Sequence, residues 1–178
     1  MTHMKTKQLG FTVMEGVITL CLVTIVASIG VPTLRTLLVN NRLSVVTNEL
    51  VSSLYAARQS ALNANEDAVV CPLRDAEHCG ASGDWFRGWL VFADRNSNGV
   101  RDNTEQIIQV VQRSEPIRIS ASRKLPIVYR ADGMTEGSNT TVTVCDTRDG
   151  SRARKVVVSN TGRVRTEILA EGNDALCL

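Results

Sequence analysis

The chain has 178 residues, with 20 Lys and Arg against 18 Asp and Glu, a formal net charge of +2, and 43% hydrophobic residues. A charge this near balance excludes any argument about partners from bulk electrostatics, so such an argument must rest on local clustering. Once about 35 residues are set aside for an apolar N-terminal stretch, one domain of roughly 110–140 residues remains, enough for a single core. Catalysis finds no support either: His78 is the only histidine after the first few residues, and there is no Gly-x-Ser-x-Gly, phosphate-cradling glycine loop or metal triad.

Taken in order, Lys5 and Lys7 precede an apolar run from Phe11 to Leu34 whose only charge is Glu15. The uncharged part from Gly16 onward is long enough to cross a bilayer. A secretory signal would need a short apolar region followed by a small-residue cleavage site, and Ala27-Ser28-Ile29 is a poor one inside a continuing helical pattern. A carboxylate at membrane depth costs about 2.5–3.5 kcal/mol on insertion scales and is normally retained for a partner or a function.

Those residues carry a resemblance. Gly10-Phe11-Thr12-Val13-Met14-Glu15 resembles the Gly-Phe-Thr-Leu-Ile-Glu signature of type IV pilins and type II secretion pseudopilins, with Met14 and Gly16 standing where Ile and Leu are commoner. The resemblance implies that a prepilin peptidase cuts between Gly10 and Phe11 and methylates Phe11. It implies that Glu15 pairs with a neighbouring subunit's N-terminal amine during assembly, and that Pro32 is the family's helix-kinking proline. The chain then divides into a cleaved leader (1–10), a transmembrane and filament-core helix (11–35) and a periplasmic head (36–178). It would be held in the inner membrane before joining other pilins in a filament.

After Pro32 the helical period persists while the sequence turns polar. Leu43, Val46, Leu50, Leu54, Ala57 and Ala61 recur at three- and four-residue steps, which predicts an amphipathic helix to about Asn63 with one face on a core. From Ala68 short β-like runs alternate with turn residues: 68–71, 85–93, 106–112, 117–120, 127–129, 140–145, 155–159 and 163–169. One long helix followed by short strands predicts an α+β fold, the helix packed on an antiparallel sheet, as in type IV pilins.

Cys21 lies in the apolar run and is a small filler there. Cys71, Cys79, Cys145 and Cys177 form an even set in a domain placed outside the cytoplasm, where disulfides are the default. Three pairings are open. Cys71–Cys79, closing a short loop with Pro72, and Cys145–Cys177, stapling the C-terminal tail to a strand, are favoured. A zinc site using His78 lacks paired Cys-x-x-Cys spacing.

Asp94, Asn96, Asn98, Gly99 and Glu105 satisfy the calcium-loop pattern Asp-x-Asp/Asn-x-Asp/Asn-Gly-x5-Glu, with Asp102 at a position that often contributes through water. The flanks read as strands rather than as the helices of an EF-hand. Asn, Asp and Gly are also what a hairpin loop uses. The segment Gly88-Trp89-Leu90-Val91-Phe92-Ala93-Asp94 to Gly99 resembles one common in GspH/FimT-type minor pilins, where it is a β-turn.

Near the C-terminus Arg148, Arg152, Arg154, Lys155, Arg163 and Arg165 fall within 18 residues, opposed there only by Asp149. A hairpin through Asn160-Thr161-Gly162 would place Arg163 and Arg165 on one face of its second strand, about 7 Å apart, able to engage neighbouring phosphates. Ser159 to Arg165 resembles the Ser-x-x-Gly-Arg-x-Arg tail of FimT-type minor pilins, which implies DNA binding for uptake in natural transformation, with Gly162 and Arg163 shared by the wider family. The alternative is a structural minor pilin or pseudopilin that primes or caps a filament without touching DNA.

Overall fold

The computed structural model describes residues 12–80, 85–114, 117–123, 126–135, 137–146 and 152–169. Gly10, Phe11, Arg148 and Cys177 lie outside them.

The chain opens with one helix, α1 (Val13–Ala64). Thr12 caps it: its Oγ1 accepts the Glu15 N–H at 3.3 Å. Glu15 stands in the first turn, where the helix dipole favours an anion. The helix runs through Pro32, which supplies no amide donor. It stops at Asn65, whose φ of 56° is the left-handed conformation that ends many helices.

Two compact units divide the chain, one up to Leu38 and one from Val39 onward. In the first, the apolar side chains from Val13 to Leu38 are exposed on every side of the helix. Thr19, Thr24, Ser28 and Thr33 turn their hydroxyls back onto carbonyls one turn earlier, at 2.8–2.9 Å. That back-bonding satisfies a hydroxyl without water, as a lipid-facing helix requires.

In the second unit α1 buries Val39, Leu43, Val46, Leu50, Leu54, Ala57 and Ala61, a stripe at helical spacing. Nine strands follow among the described residues: β1 (Asp67–Asp75), β2 (His78–Cys79), β3 (Gly88–Asp94), β4 (Ile107–Gln112), β5 (Ile117–Ala121), β6 (Ile127–Tyr129), β7 (Thr140–Asp146), β8 (Ala153–Val158) and β9 (Val164–Ile168). All pair antiparallel, in two sheets rather than one. The first runs β2-β1-β3-β4 with β6 also on β1, and the second runs β5-β7-β8-β9.

Strand alternation decides what each sheet buries. Ala68 and Val70 of β1 join Trp89 and Val91 of β3 under the helix stripe, together with Val142, Val144, Val156, Val158 and Val164 of the second sheet. Val69, Cys71 and Leu73 face the other way and meet Leu90 and Phe92 in a smaller second core. Because both faces of β1 and β3 are covered, these strands read as nearly continuous apolar runs rather than as alternating ones. Two polar contacts fix the helix to the first sheet: the buried Trp89 indole N–H donates to Ser53 Oγ at 2.8 Å, and Glu49 pairs with Arg113, whose side chain is only 9% exposed.

Cys71 and Cys79 form a disulfide across the β1–β2 hairpin. Cys145 is also disulfide-bonded, and the partner expected for it, Cys177, is outside the described residues. Cys21 is a free thiol on α1.

Candidate functional site

The C-terminal hairpin is built on a turn that requires a glycine at 162. Val158 lies opposite Val164, Val157 opposite Arg165 and Lys155 opposite Glu167. Between them the Gly162 N–H donates to the Ser159 carbonyl at 2.8 Å and the Ser159 N–H to the Arg163 carbonyl at 3.0 Å. Gly162 has φ +73°, and a Cβ there would stand 2.1 Å from the carbonyl oxygen of Gly133. The turn is also gripped from outside. Thr135 donates its N–H to the Asn160 carbonyl at 2.8 Å and its hydroxyl to the Ser159 carbonyl at 2.6 Å. Arg58 of α1 donates to the carbonyls of Gly162 and Thr161 at 3.2 and 3.3 Å. In the sequence Arg58 is only one polar residue between stripe positions, and no spacing rule reveals a partner 104 residues away. Gly162 therefore shapes and docks the hairpin.

Those charges do not form one cluster. Val156, Val158 and Val164 point into the core, so alternation puts Arg154 on their side and Lys155, Arg165 and Glu167 on the outward side. Arg163 is exposed, two residues before Arg165 and on its side. Arg165 reaches Glu167 at 3.0 Å, a pair between two well-exposed side chains that contributes at most about 1 kcal/mol. Lys155 and Arg163 have no side-chain partner among the described residues. Among the described residues of the hairpin the outward face thus presents Lys155, Arg163 and Arg165 against one carboxylate, Glu167. Arg154 instead lines a cavity with Asn40 and Leu43 of α1 and with Arg152.

The loop from Asp94 to Glu105 gathers the five residues expected to bind calcium, but it turns them on one another. Asp94 ends β3 almost wholly buried. Its two oxygens accept the N–H groups of Asn98 and Gly99 at 3.1 and 2.8 Å. Glu105 accepts those of Arg95 and Asp102 at 3.0 and 2.9 Å. The side-chain amides of Asn96 and Asn98 both donate to one oxygen of Asp102, and the left-handed turns are made at Ser97 and Gly99. Burial raises the Asp94 carboxyl above its ordinary pKa despite the two amides. With the oxygens aimed at N–H groups, the donor set does not fit a cation in this arrangement. Among the described residues no three His, Cys, Asp or Glu side chains stand where they would share a metal. The Asp75 carboxylate instead accepts from His78 Nδ1 at 2.7 Å, and that bond, with the Glu77 amide, holds the Asp75 carboxyl well below the usual range.

Known proteins resemble this chain in both sequence and fold. A family model described as Type II transport protein GspH matches residues 46–162, ending on the glycine of the hairpin turn. Two crystal forms of the type IV minor pilin FimU from Pseudomonas aeruginosa PAO1 share the fold. One is 17% identical with a TM-score of 0.51, over 74% of this chain and 96% of that chain. The other is 16% identical with a TM-score of 0.55, over 72% of this chain and 98% of that chain. No curated protein sequence matches. With a family model spanning well over half its length, and a long helix on antiparallel sheets as in a type IV minor pilin, the chain belongs to the GspH family of pilin-like structural proteins, which are not enzymes.

Proposed function

We propose that the chain is a minor subunit of a type IV pilus that carries DNA-binding charges on its C-terminal hairpin, for DNA uptake. In this reading the leader is removed between Gly10 and Phe11, Phe11 is methylated, and the segment to residue 35 leaves the inner membrane to enter a filament core. The exposed apolar helix supports this reading: a helix apolar on every side needs lipid or partner helices. Its one charge, Glu15, would meet a neighbouring subunit's amine. The Cys71–Cys79 disulfide suits a head in an oxidising periplasm.

Co-expression of the full chain with a prepilin peptidase tests the processing. Mass spectrometry is expected to give a product starting at N-methylated Phe11, and an intact Gly10–Phe11 bond would overturn it. Glu15→Val is expected to leave the chain in the membrane and remove it from sheared filaments.

The observation that carries the DNA reading is the outward trio of Lys155, Arg163 and Arg165, two of them without a side-chain partner among the described residues. Phosphate contacts from such a face bind DNA without sequence preference and release counterions. A gel shift of duplex DNA with the full chain in detergent is the direct test. Absence of binding at low salt would leave the second reading, a structural subunit of a pilus or secretion pseudopilus. That reading is favoured by the fold shared with FimU and by the tie between Arg165 and Glu167.

A further inference from the structure

Arg154 stands where strand alternation calls for a core residue. It shares its side of β8 with Val156 and Val158, and its cross-strand neighbours are Val144 on β7 and Ile168 on β9. It is half-buried, and among the described residues no carboxylate pairs with it. A guanidinium does not shed its charge when desolvated, so this position favours an anion from outside the fold. The guanidinium opens into a cavity of about 190 Å³ walled also by Asn40, Leu43, Arg152, Ile168 and Leu169. Among the described residues that wall offers the Arg154 guanidinium and the Asn40 amide as donors and holds no acidic side chain, and the Arg152 guanidinium beside them already has a partner of its own. Its rim is apolar: Ile168 is 79% exposed at the outer edge of the sheet.

We propose that this cavity seats the phosphate of an anionic membrane lipid while the chain is still anchored in the bilayer. The inference rests on reading the segment from Val13 to about residue 35 as membrane-spanning. Two observations favour lipid over nucleic acid. Arg35 is the first cation after the apolar run, and Asn40 lies only five positions further on, a reach of at most about 18 Å fully extended. The cavity is therefore tethered close to the lipid headgroups whatever the pose of the head. Secondly, a rim of Ile168 and Leu169 beside the cations suits a surface with phosphate above and acyl chain below. A duplex offers nothing apolar there, and the cations suited to it lie on the opposite side of the hairpin.

Hydrogen exchange of the full chain in nanodiscs of phosphatidylcholine, with and without phosphatidylglycerol, tests the seat. Exchange at 152–154 and 168–169 is expected to slow by about tenfold with phosphatidylglycerol at low salt. Arg154→Gln should abolish the slowing and Arg154→Lys should keep it, while unchanged exchange in β1 and β3 shows that both variants fold. Equal exchange in both discs, with the chain inserted in both, overturns the lipid seat and leaves the membrane span standing. Failure to insert in either overturns the span and the seat with it. Slowing by a short duplex oligonucleotide in phosphatidylcholine discs, lost in Arg154→Gln, overturns the lipid assignment in favour of nucleic-acid phosphate.

Discussion

The loop from Asp94 to Glu105 and the hairpin from Ala153 to Ile168 are both dense in charge, and both match a functional motif. They differ in where their polar groups point. In the loop, the carboxylates of Asp94 and Glu105 are consumed by four backbone amides, and Asp102 holds the two Asn side chains. In the hairpin, the backbone is gripped by Thr135 and Arg58 while Lys155 and Arg163 have no side-chain partner among the described residues. A set of charges satisfied internally stabilises a fold, whereas charges held rigidly with nothing to meet are available to a ligand.

Several changes would break or sharpen that contrast. The largest effect is expected at the hairpin's base. Gly162→Ala forces a Cβ against the Gly133 carbonyl at a positive φ, and should destabilise the head by about 3 kcal/mol or more in thermal unfolding. A loss under about 1 kcal/mol would mean the turn is not gripped as described. Glu105→Ala strands the amides of Arg95 and Asp102, and a cost of about 2 kcal/mol is expected. A neutral result would show the loop to be open.

The pH dependence of the loop has a definite sign. Burial raises the Asp94 carboxyl above its ordinary value, so the folded chain holds this proton more tightly than the unfolded chain does. That contribution is full below about pH 4 and is lost as pH rises through the folded pKa. Wild type should therefore lose stability relative to Asp94→Asn between pH 4 and pH 7, and a difference growing in the other direction would contradict the desolvation argument. The smallest effect is expected from calcium itself. Millimolar calcium should leave the melting temperature unchanged, and a rise of several degrees would show that the amides yield their carboxylates to a cation.

Much of the fold is legible in the sequence because it obeys simple periods. The stripe from Leu43 to Ala61 follows helical spacing, and the strand runs fall within two residues of the observed elements apart from the longer β1, the later start of β3 and the short β2. The split into two sheets is not legible, since it depends on which strands pair rather than on where they lie. Nor are the ties from Arg58 to Gly162 and from Glu49 to Arg113, which join residues far apart in the chain. The separation of Arg154 from Lys155 follows from alternation once Val156 and Val158 are known to face inward; in the sequence the basic residues merge into one cluster. The calcium pattern shows the opposite difficulty. Its residues suit a cation and a hairpin equally, and only the direction of each oxygen distinguishes the two.

The most direct test of the account is the salt dependence of DNA affinity, measured by fluorescence anisotropy with the full chain and a labelled duplex. Each phosphate contact contributes about 0.9 to the slope of log affinity against log salt. Arg163→Gln with Arg165→Gln is expected to weaken binding and lower the slope by about 2, while Arg154→Gln leaves the slope unchanged. An unchanged affinity and slope in the double variant would contradict the assignment of the outward face of the hairpin to DNA.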